Sequence, residues 1–507
     1  MTERNIIALP VDGRPVTREQ VQLLGRIAGC EVLCPAVSEL GYFREPADRN
    51  ALARWLREQA PQADGFIFSV DMLVYGGLVP SRFIDDGAAA LIERLQLLRE
   101  LRTRYPDKPI YGFCATMRLS NNNENEEEKL YWSEYGELIW RWSYHSDRFE
   151  CLGEEEDQKW ASMAKALIPE DIRRDYLDTR ARNFTVTEQV LKLVADGVID
   201  RLILPQDDTA EYGFNIAERR RLQARVASHG LDDRVLIYPG ADEVIYTLLA
   251  HQLQGLGAAA PVRLALSLHQ PHSIAGLVAR YEDRPLLESI RSQIAAAGAV
   301  LVEDIDSADA VIAVHSRGSA QGDWAMQAPL PDPEALDERW LSQLAAINKP
   351  VALLDLAYAN GGDPQLLAGL PIELSRLLAY AAWNTASNSI GSLVAQVCLA
   401  LGANSGNSAD TVHSAHNRHL LAIRLLDDYL YQAEVRQALR RQHVEKQTDP
   451  QTLLQSLKAL YLQRARQWLR QQQLAEIELE DIYLPWQRSF EIGLRTSLVG
   501  DSAGGAL

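Results

Sequence analysis

An α/β fold with a mainly parallel sheet, barrel-like or doubly wound, is predicted by three observations. Short apolar runs recur along the chain as far as Asn360. Most are apolar at consecutive positions, as strands buried on both faces are, rather than alternating. The segments between them are long enough for helices and several carry helical spacing, which makes the connections crossovers between parallel strands.

In chain order the predicted strands are NIIALP (5–10), EVLCP (31–35), GFIFSV (65–70), PIYGFC (109–114), RLILP (201–205) and VLIYPG (235–240). VRLALSL (262–268), AVIAVH (310–315) and VALLDLAYAN (351–360) follow. ALIERLQLLRELRTRY (90–105) and PLLESIRSQIAAAG (285–298) read as helices between them. The stretch GLGAAAP (255–261) is a candidate linker, which divides the chain into an N-terminal lobe over 1–255 and a second α/β lobe over 262–405. Beyond it, residues 410–500 show helical spacing rich in Arg and Gln with no strand, a helical C-terminal unit ending in a tail, GDSAGGAL, expected to fray. The length of 507 residues agrees with two or three structural units.

Charge and composition narrow the partners. With 51 Lys and Arg against 69 Asp and Glu, the net charge is −18. That balance repels phosphate backbones and anionic lipid surfaces, so neither nucleic acid nor membrane is expected as a partner, and a small neutral or cationic substrate, or a metal-bridged one, is favoured. No window reaches the length of a membrane span. The opening MTERNIIALPVDGRP lacks the basic and long apolar regions of a secretion signal. Five scattered cysteines suit a reducing compartment, so the cytoplasm is the expected location. Cys30 and Cys34 have no second pair to complete a zinc site. The helical C-terminal unit is the candidate surface for homo-oligomerisation.

The polar residues gather where the strands end. NIIALP leads to Asp12 and Arg14; GFIFSV leads to Asp71, Tyr75 and Arg82; PIYGFC leads to Arg118. RLILP runs into the adjacent pair Asp207 and Asp208, and VLIYPG into Asp242 and Glu243. VALLDLA leads to Asn360 and Asp363, and AAWNTASNSIG supplies Trp383, Asn384 and Asn388. In a parallel sheet these C-terminal ends share one edge, where α/β proteins bind ligands. A single acid after a strand often does no more than cap the next helix. The pair at 207 and 208 exceeds that need, because one cap uses one oxygen.

Two neighbouring carboxylates drive their pKa values apart, which leaves one protonated beside one charged. Glycoside cleavage uses such a pair as acid and as base or nucleophile. The competing use is a hard cation, Mg²⁺ or Mn²⁺, held by carboxylate and Asn oxygens. The aromatic cluster Tyr131, Trp132, Tyr135, Trp140 and Trp142 fits either a sugar-stacking wall or, more simply, a helix packed into a core. His413, His416 and His419 recur at a spacing of three in an Arg-rich helix and read as surface or interface residues. Neither G-x-x-x-x-G-K nor G-x-G-x-x-G occurs, so no nucleotide cofactor is expected. The G-x-S-x-G match GDSAG (500–504) falls in the tail expected to fray and not between a predicted strand and helix, so no serine hydrolase is expected.

Taken together, ALPVDGRPVT, VDMLVYGGLVPSR, LPQDDTAEYG, YPGADEV, LAYANGGD and YAAWNTASNSIG resemble the bacterial family DUF4127, from Leu9 to the helical region around Asp427 and Arg436. Gly13 stands where similar sequences often carry a second acid. The adjacent aspartates and the later WN segment also look somewhat like β-N-acetylglucosaminidases of the O-GlcNAc-hydrolase type. That resemblance implies that Asp207 orients the substrate acetamide, that Asp208 is the general acid, and that Asn384 or Asn388 contacts the sugar. The expectation is a cytoplasmic hydrolase of a small glycoside or amino sugar, with Asp207 and Asp208 catalytic, the other strand-end residues binding substrate, and no cofactor. A Mg²⁺- or Mn²⁺-dependent enzyme and a non-catalytic sugar- or metabolite-binding protein are the alternatives.

Overall fold

The computed structural model describes residues 4–257, 260–330, 333–402, 414–442 and 449–499. Its first sheet has six parallel strands: β1 (Arg4–Leu9), β2 (Cys30–Leu33), β3 (Gly65–Ser69), β4 (Ile110–Phe113), β5 (Arg201–Gln206) and β6 (Val235–Pro239). Their order is β2-β1-β3-β4-β5-β6, an open sheet and not a barrel. The consecutive apolar residues behave as the sequence predicts. Ile6, Ala8, Ile67, Phe113 and Ile203 enter one core, while their neighbours Ile7, Leu9, Phe66, Phe68, Leu202 and Leu204 enter another on the opposite face. A strand buried on both sides needs no alternation, because each successive Cβ meets apolar atoms on its own side.

The chain continues with β7 (Arg263–Leu268), β8 (Val300–Leu301), β9 (Ala310–His315), β10 (Gly322–Asp323), β11 (Val351–Asp355), β12 (Tyr358–Ala359) and β13 (Ala379–Ala381). Five of these form a sheet in the order β13-β11-β9-β7-β8, and β10 pairs with β12. Every pairing within the five-stranded sheet is parallel. All the predicted strands are present. The predicted linker begins inside the helix Val244–Gly257, and residues 258–259 of it lie outside the described residues.

Between β4 and β5 sits a helical insertion of three helices, Trp132–Leu152, Glu155–Leu167 and Glu170–Ala195. Trp132, Ile139, Trp142 and Tyr176 make a separate small core there. The aromatic cluster is therefore core packing, the simpler of its two readings.

The C-terminal unit differs from expectation in one respect. After the helix Pro450–Gln471 comes an antiparallel hairpin, β14 (Ile477–Tyr483) and β15 (Gly493–Leu498). In IELEDIY, Ile477, Leu479 and Ile482 are buried while Glu478 and Glu480 face solvent. The alternation is a one-sided strand signal, short enough to be masked by the charged helix before it. His419 is buried and its Nε2 lies 2.8 Å from Thr496 Oγ1, so it fastens a helix to this hairpin; His413 and the tail GDSAGGAL lie outside the described residues. Among the described residues no helix is long and apolar enough to cross a membrane.

Candidate functional site

The site is assembled from the C-terminal ends of β1, β3, β4, β5, β6 and β13, joined by two loops from elsewhere. On one side, Arg14 forms the centre. Its Nε donates to Asp12 Oδ2 at 3.0 Å and its Nη2 to Asp242 Oδ1 at 2.5 Å. Asn384 Nδ2 donates to the other Asp242 oxygen at 2.7 Å. Asn388 Oδ1 accepts the backbone N–H groups of Ala241 and Asp242, both at 3.1 Å, and so sets the turn that presents Asp242. The Arg14 guanidinium lies 4.5 Å from the Trp486 ring centroid. Burial pushes the Asp242 carboxyl upward against the pull of Arg14.

On the other side lies the aspartate pair. Arg82 Nη2 donates to Asp207 Oδ2 at 3.0 Å, and Arg118 Nη1 stands 3.4 Å from Asp208 Oδ2. Their side chains are 17% and 24% exposed. Burial, reinforced by the charge of Asp208, raises Asp207 to about 6. Asp208 is raised too, by burial and against Arg118. Asp71, 1% exposed, accepts the Ala115 N–H at 2.9 Å and is raised by burial to about 7, with Asp207 adding to the shift. Because Asp207 also raises Asp242, the two halves form one electrostatic unit.

Residues from β4–β5 and from the C-terminal hairpin close the unit. Glu127 Oε2 lies 2.9 Å from Arg118, and Glu127 Oε1 lies 2.8 Å from Arg488. Glu128 Oε1 bridges Arg118 at 2.7 Å and Arg82 at 3.2 Å. Arg488 also meets Glu491 at 3.2 Å. The sequence shows Glu127 and Glu128 inside NNNENEEEKL, where a helix-feeding acidic loop is the natural reading. Only their spatial partners single them out, and the same holds for Trp486, Arg488 and Glu491.

The backbone around the site is unusual. Asp208, Tyr281, Asn360 and Asn384 all have positive φ, at 39°, 66°, 60° and 63°. They lie along one chain of hydrogen bonds. Thr209 N–H donates to the Tyr281 carbonyl at 3.1 Å, and the Tyr281 hydroxyl donates to Asp323 at 2.8 Å. Asn360 Nδ2 donates to the other Asp323 oxygen at 3.0 Å, and Asn360 N–H to the Asn384 carbonyl at 2.8 Å. Left-handed non-glycine residues cost energy and concentrate where a site needs fixed side-chain directions.

Other candidates stand apart. Asp363 belongs to a second buried cluster: its Oδ2 lies 3.1 Å from His315 Nε2 and 3.2 Å from Arg317, while its Oδ1 caps the helix Pro364–Gly369. Tyr75 is buried in the core behind Asp71. Glu243 is 1% exposed and packs against Gly391. Trp383 is buried with its ring 6.5 Å from Phe490. A small cavity of about 20 Å³ lined by Gln20, Ile423, Asp427 and Ile492, and a groove of about 490 Å³ lined by Arg49, Arg57, Asp86 and Arg94, do not border Asp207 or Asp208. Among the described residues no group of three or more His, Cys, Asp or Glu side chains is placed to hold a metal ion. Each carboxylate of the central unit that bears on the pair faces a guanidinium or a backbone N–H instead.

Fold and site define an α/β protein with two large parallel sheets and a mixed carboxylate–guanidinium centre at its strand ends. The chain belongs to the family described as "Protein of unknown function (DUF4127)", whose model matches residues 6–495. No curated protein matches it. Among solved structures, the crystal structure of Anabaena Alr3699/HepE in complex with UDP and glucose matches at 9% identity and a TM-score of 0.18, covering 87% of this chain and 100% of that chain. A likeness that weak carries no argument about this chain.

Proposed function

We propose that the protein is a hydrolase of small glycosides or amino sugars, with Asp207 and Asp208 as the proton-transfer pair. The observation that carries the reading is their shared environment: adjacent, partly exposed carboxylates, both raised, each held by its own arginine. Such a pair holds a proton to higher pH than ordinary carboxylates, to about 6 for Asp207, and titrates as a unit. One carboxyl donates to the leaving-group oxygen, and the other, ionised beside a guanidinium, activates the attacking group or stabilises the positive charge that develops on the sugar. Asp242, Asn384 and Arg14 hold one another in fixed directions and are the candidate acceptors and donors for hydroxyl groups.

The test is a screen of nitrophenyl glycosides and N-acetylated amino sugars with wild type, Asp207→Asn and Asp208→Asn. Asp208→Asn should lower kcat by at least about 10²-fold and leave Tm within a few degrees. Full turnover by either variant removes the pair from the mechanism. Activity that survives EDTA separates this chemistry from a Mg²⁺- or Mn²⁺-dependent one, and saturable binding without product would make the protein a sugar-binding module.

A further inference from the structure

Glu127 is the point on which the site's arginines converge. Arg118 lies 2.9 Å from one of its oxygens and Arg488 2.8 Å from the other, with Arg82 at 3.8 Å. Burial, which acts upward, is outweighed by Arg118, Arg488, Arg82 and Arg14, so this carboxyl sits far below the usual range. The neighbouring Asp207, Asp208 and Glu491 are all shifted the other way. Glu127 is thus the member of the cluster that is firmly ionised.

It is delivered by a loop without regular structure, residues 120–131, between β4 and the helical insertion. Polar contacts hold the loop. Arg44 donates to the carbonyls of Asn125, Glu126 and Glu128, and Arg82 donates to the Glu127 carbonyl at 2.8 Å. Leu130 is 74% exposed, and apolar anchoring begins only beyond it, where Tyr131 and Trp132 pack into the core of the insertion. A segment held by polar contacts with little apolar burial opens before the packed core does. When it opens, Arg118 keeps Asp208 and Arg488 keeps Glu491, but the N–H groups that faced Glu127 lose their acceptor, and a buried donor left unpaired is costly. Arginine forks favour carboxylate and phosphate in that place.

We infer that Glu127 occupies the position of an anionic group on the ligand, so that the protein takes an acidic sugar, bearing a carboxylate or a phosphate, which displaces the 120–131 loop. This rests on the sugar reading given above and narrows its substrate class. It also departs from the preference for neutral or cationic substrates drawn from the net charge of −18, because a whole-chain sum does not report the charges within a few ångströms of one pocket.

The experiment is calorimetric binding of glucuronate, glucose 6-phosphate and glucose to the full-length wild type and Glu127→Gln. Removing the internal anion should tighten at least one of the two acidic sugars by about tenfold, leave glucose unchanged, and lose its effect in Arg488→Gln. The more strongly bound acid tells carboxylate from phosphate. No tightening of either acidic sugar overturns the inference. Should Glu127→Gln not fold, the wild type decides: either acidic sugar, but not glucose, should accelerate cleavage of the loop by a glutamate-specific protease, and unchanged cleavage overturns the inference. Neither readout needs turnover. Tight acidic-sugar binding without hydrolysis would retire the hydrolase and keep the anion site, while hydrolysis of neutral glycosides with no acid preference would do the reverse.

Discussion

Asp71 shows how one residue couples the site to stability. Its side chain accepts the Ala115 N–H and is raised by burial to about 7. A carboxyl whose folded pKa exceeds its unfolded one supports the fold most below the unfolded value, and that support is lost as pH rises through the folded value. The window therefore runs from about 4 to 7. Asp71→Asn keeps the acceptor for Ala115 and removes the charge. Urea unfolding should find the variant more stable than wild type at pH 8, by on the order of 1–3 kcal/mol, with the advantage fading toward pH 4. Equal stability at both pH values would show that Asp71 titrates normally. At this scale Asp207 and Asp208 were legible because an adjacent pair exceeds what a helix cap needs. Glu127 was not, because nothing local distinguishes one glutamate among several in NNNENEEE.

At the scale of elements, the helix Ala386–Gly402 packs against β11 and β13 of the five-stranded sheet and against the helices Glu19–Ile27 and Val244–Gly257 of the first. Every residue from Ala386 to Ala400 in it is buried, and its N-terminal turn supplies Asn388 to the site. Gly391 lets the helix approach the stretch after β6: a Cβ there would stand 2.3 Å from Glu243 Cγ and 2.8 Å from Gln293 Oε1. Alanine is the better helix former by roughly 1 kcal/mol, yet the overlap should outweigh that gain. Gly391→Ala is expected to lower stability by about 1–3 kcal/mol, measured as a drop in Tm. A rise in Tm would mean that the side chains behind it give way. Strand identity was legible for the longer strands of the parallel sheets, since burial on both faces writes an unbroken apolar run, but not for β8 and β13, which are two and three residues long. The hairpin at 477–498 was harder, because one face is wet and the run is interrupted.

Across the whole molecule, one apolar core runs from Ile6 through the five-stranded sheet to Leu494. Tyr246 donates to the Val16 carbonyl at 2.6 Å, Tyr461 to the Leu426 carbonyl at 2.8 Å, and Tyr483 to Glu19 at 2.9 Å, so distant segments are tied directly. Removal of residues 449–507 would expose Leu457, Tyr461 and Leu469's partners and take away Trp486, Arg488 and Glu491. The truncated chain is expected to lose its cooperative near-UV transition. A truncated form that unfolds as sharply as the full chain would make the C-terminal unit an independent appendage.

The order of strands and helices, the burial of the sheets and the strand-end position of Asp12, Asp71, Asp207, Asp208 and Asp242 are all written locally, in runs of apolar residues and the polar residues that end them. Which acids meet which arginines is not local. Arg14 reaches Asp242, and Arg488 reaches Glu127, across hundreds of residues, and only the packed chain brings those charges within hydrogen-bonding distance. Hydrophobic pattern acts over a few neighbours, whereas ion pairing depends on separation in space, so tertiary structure alone decided what surrounds the aspartate pair.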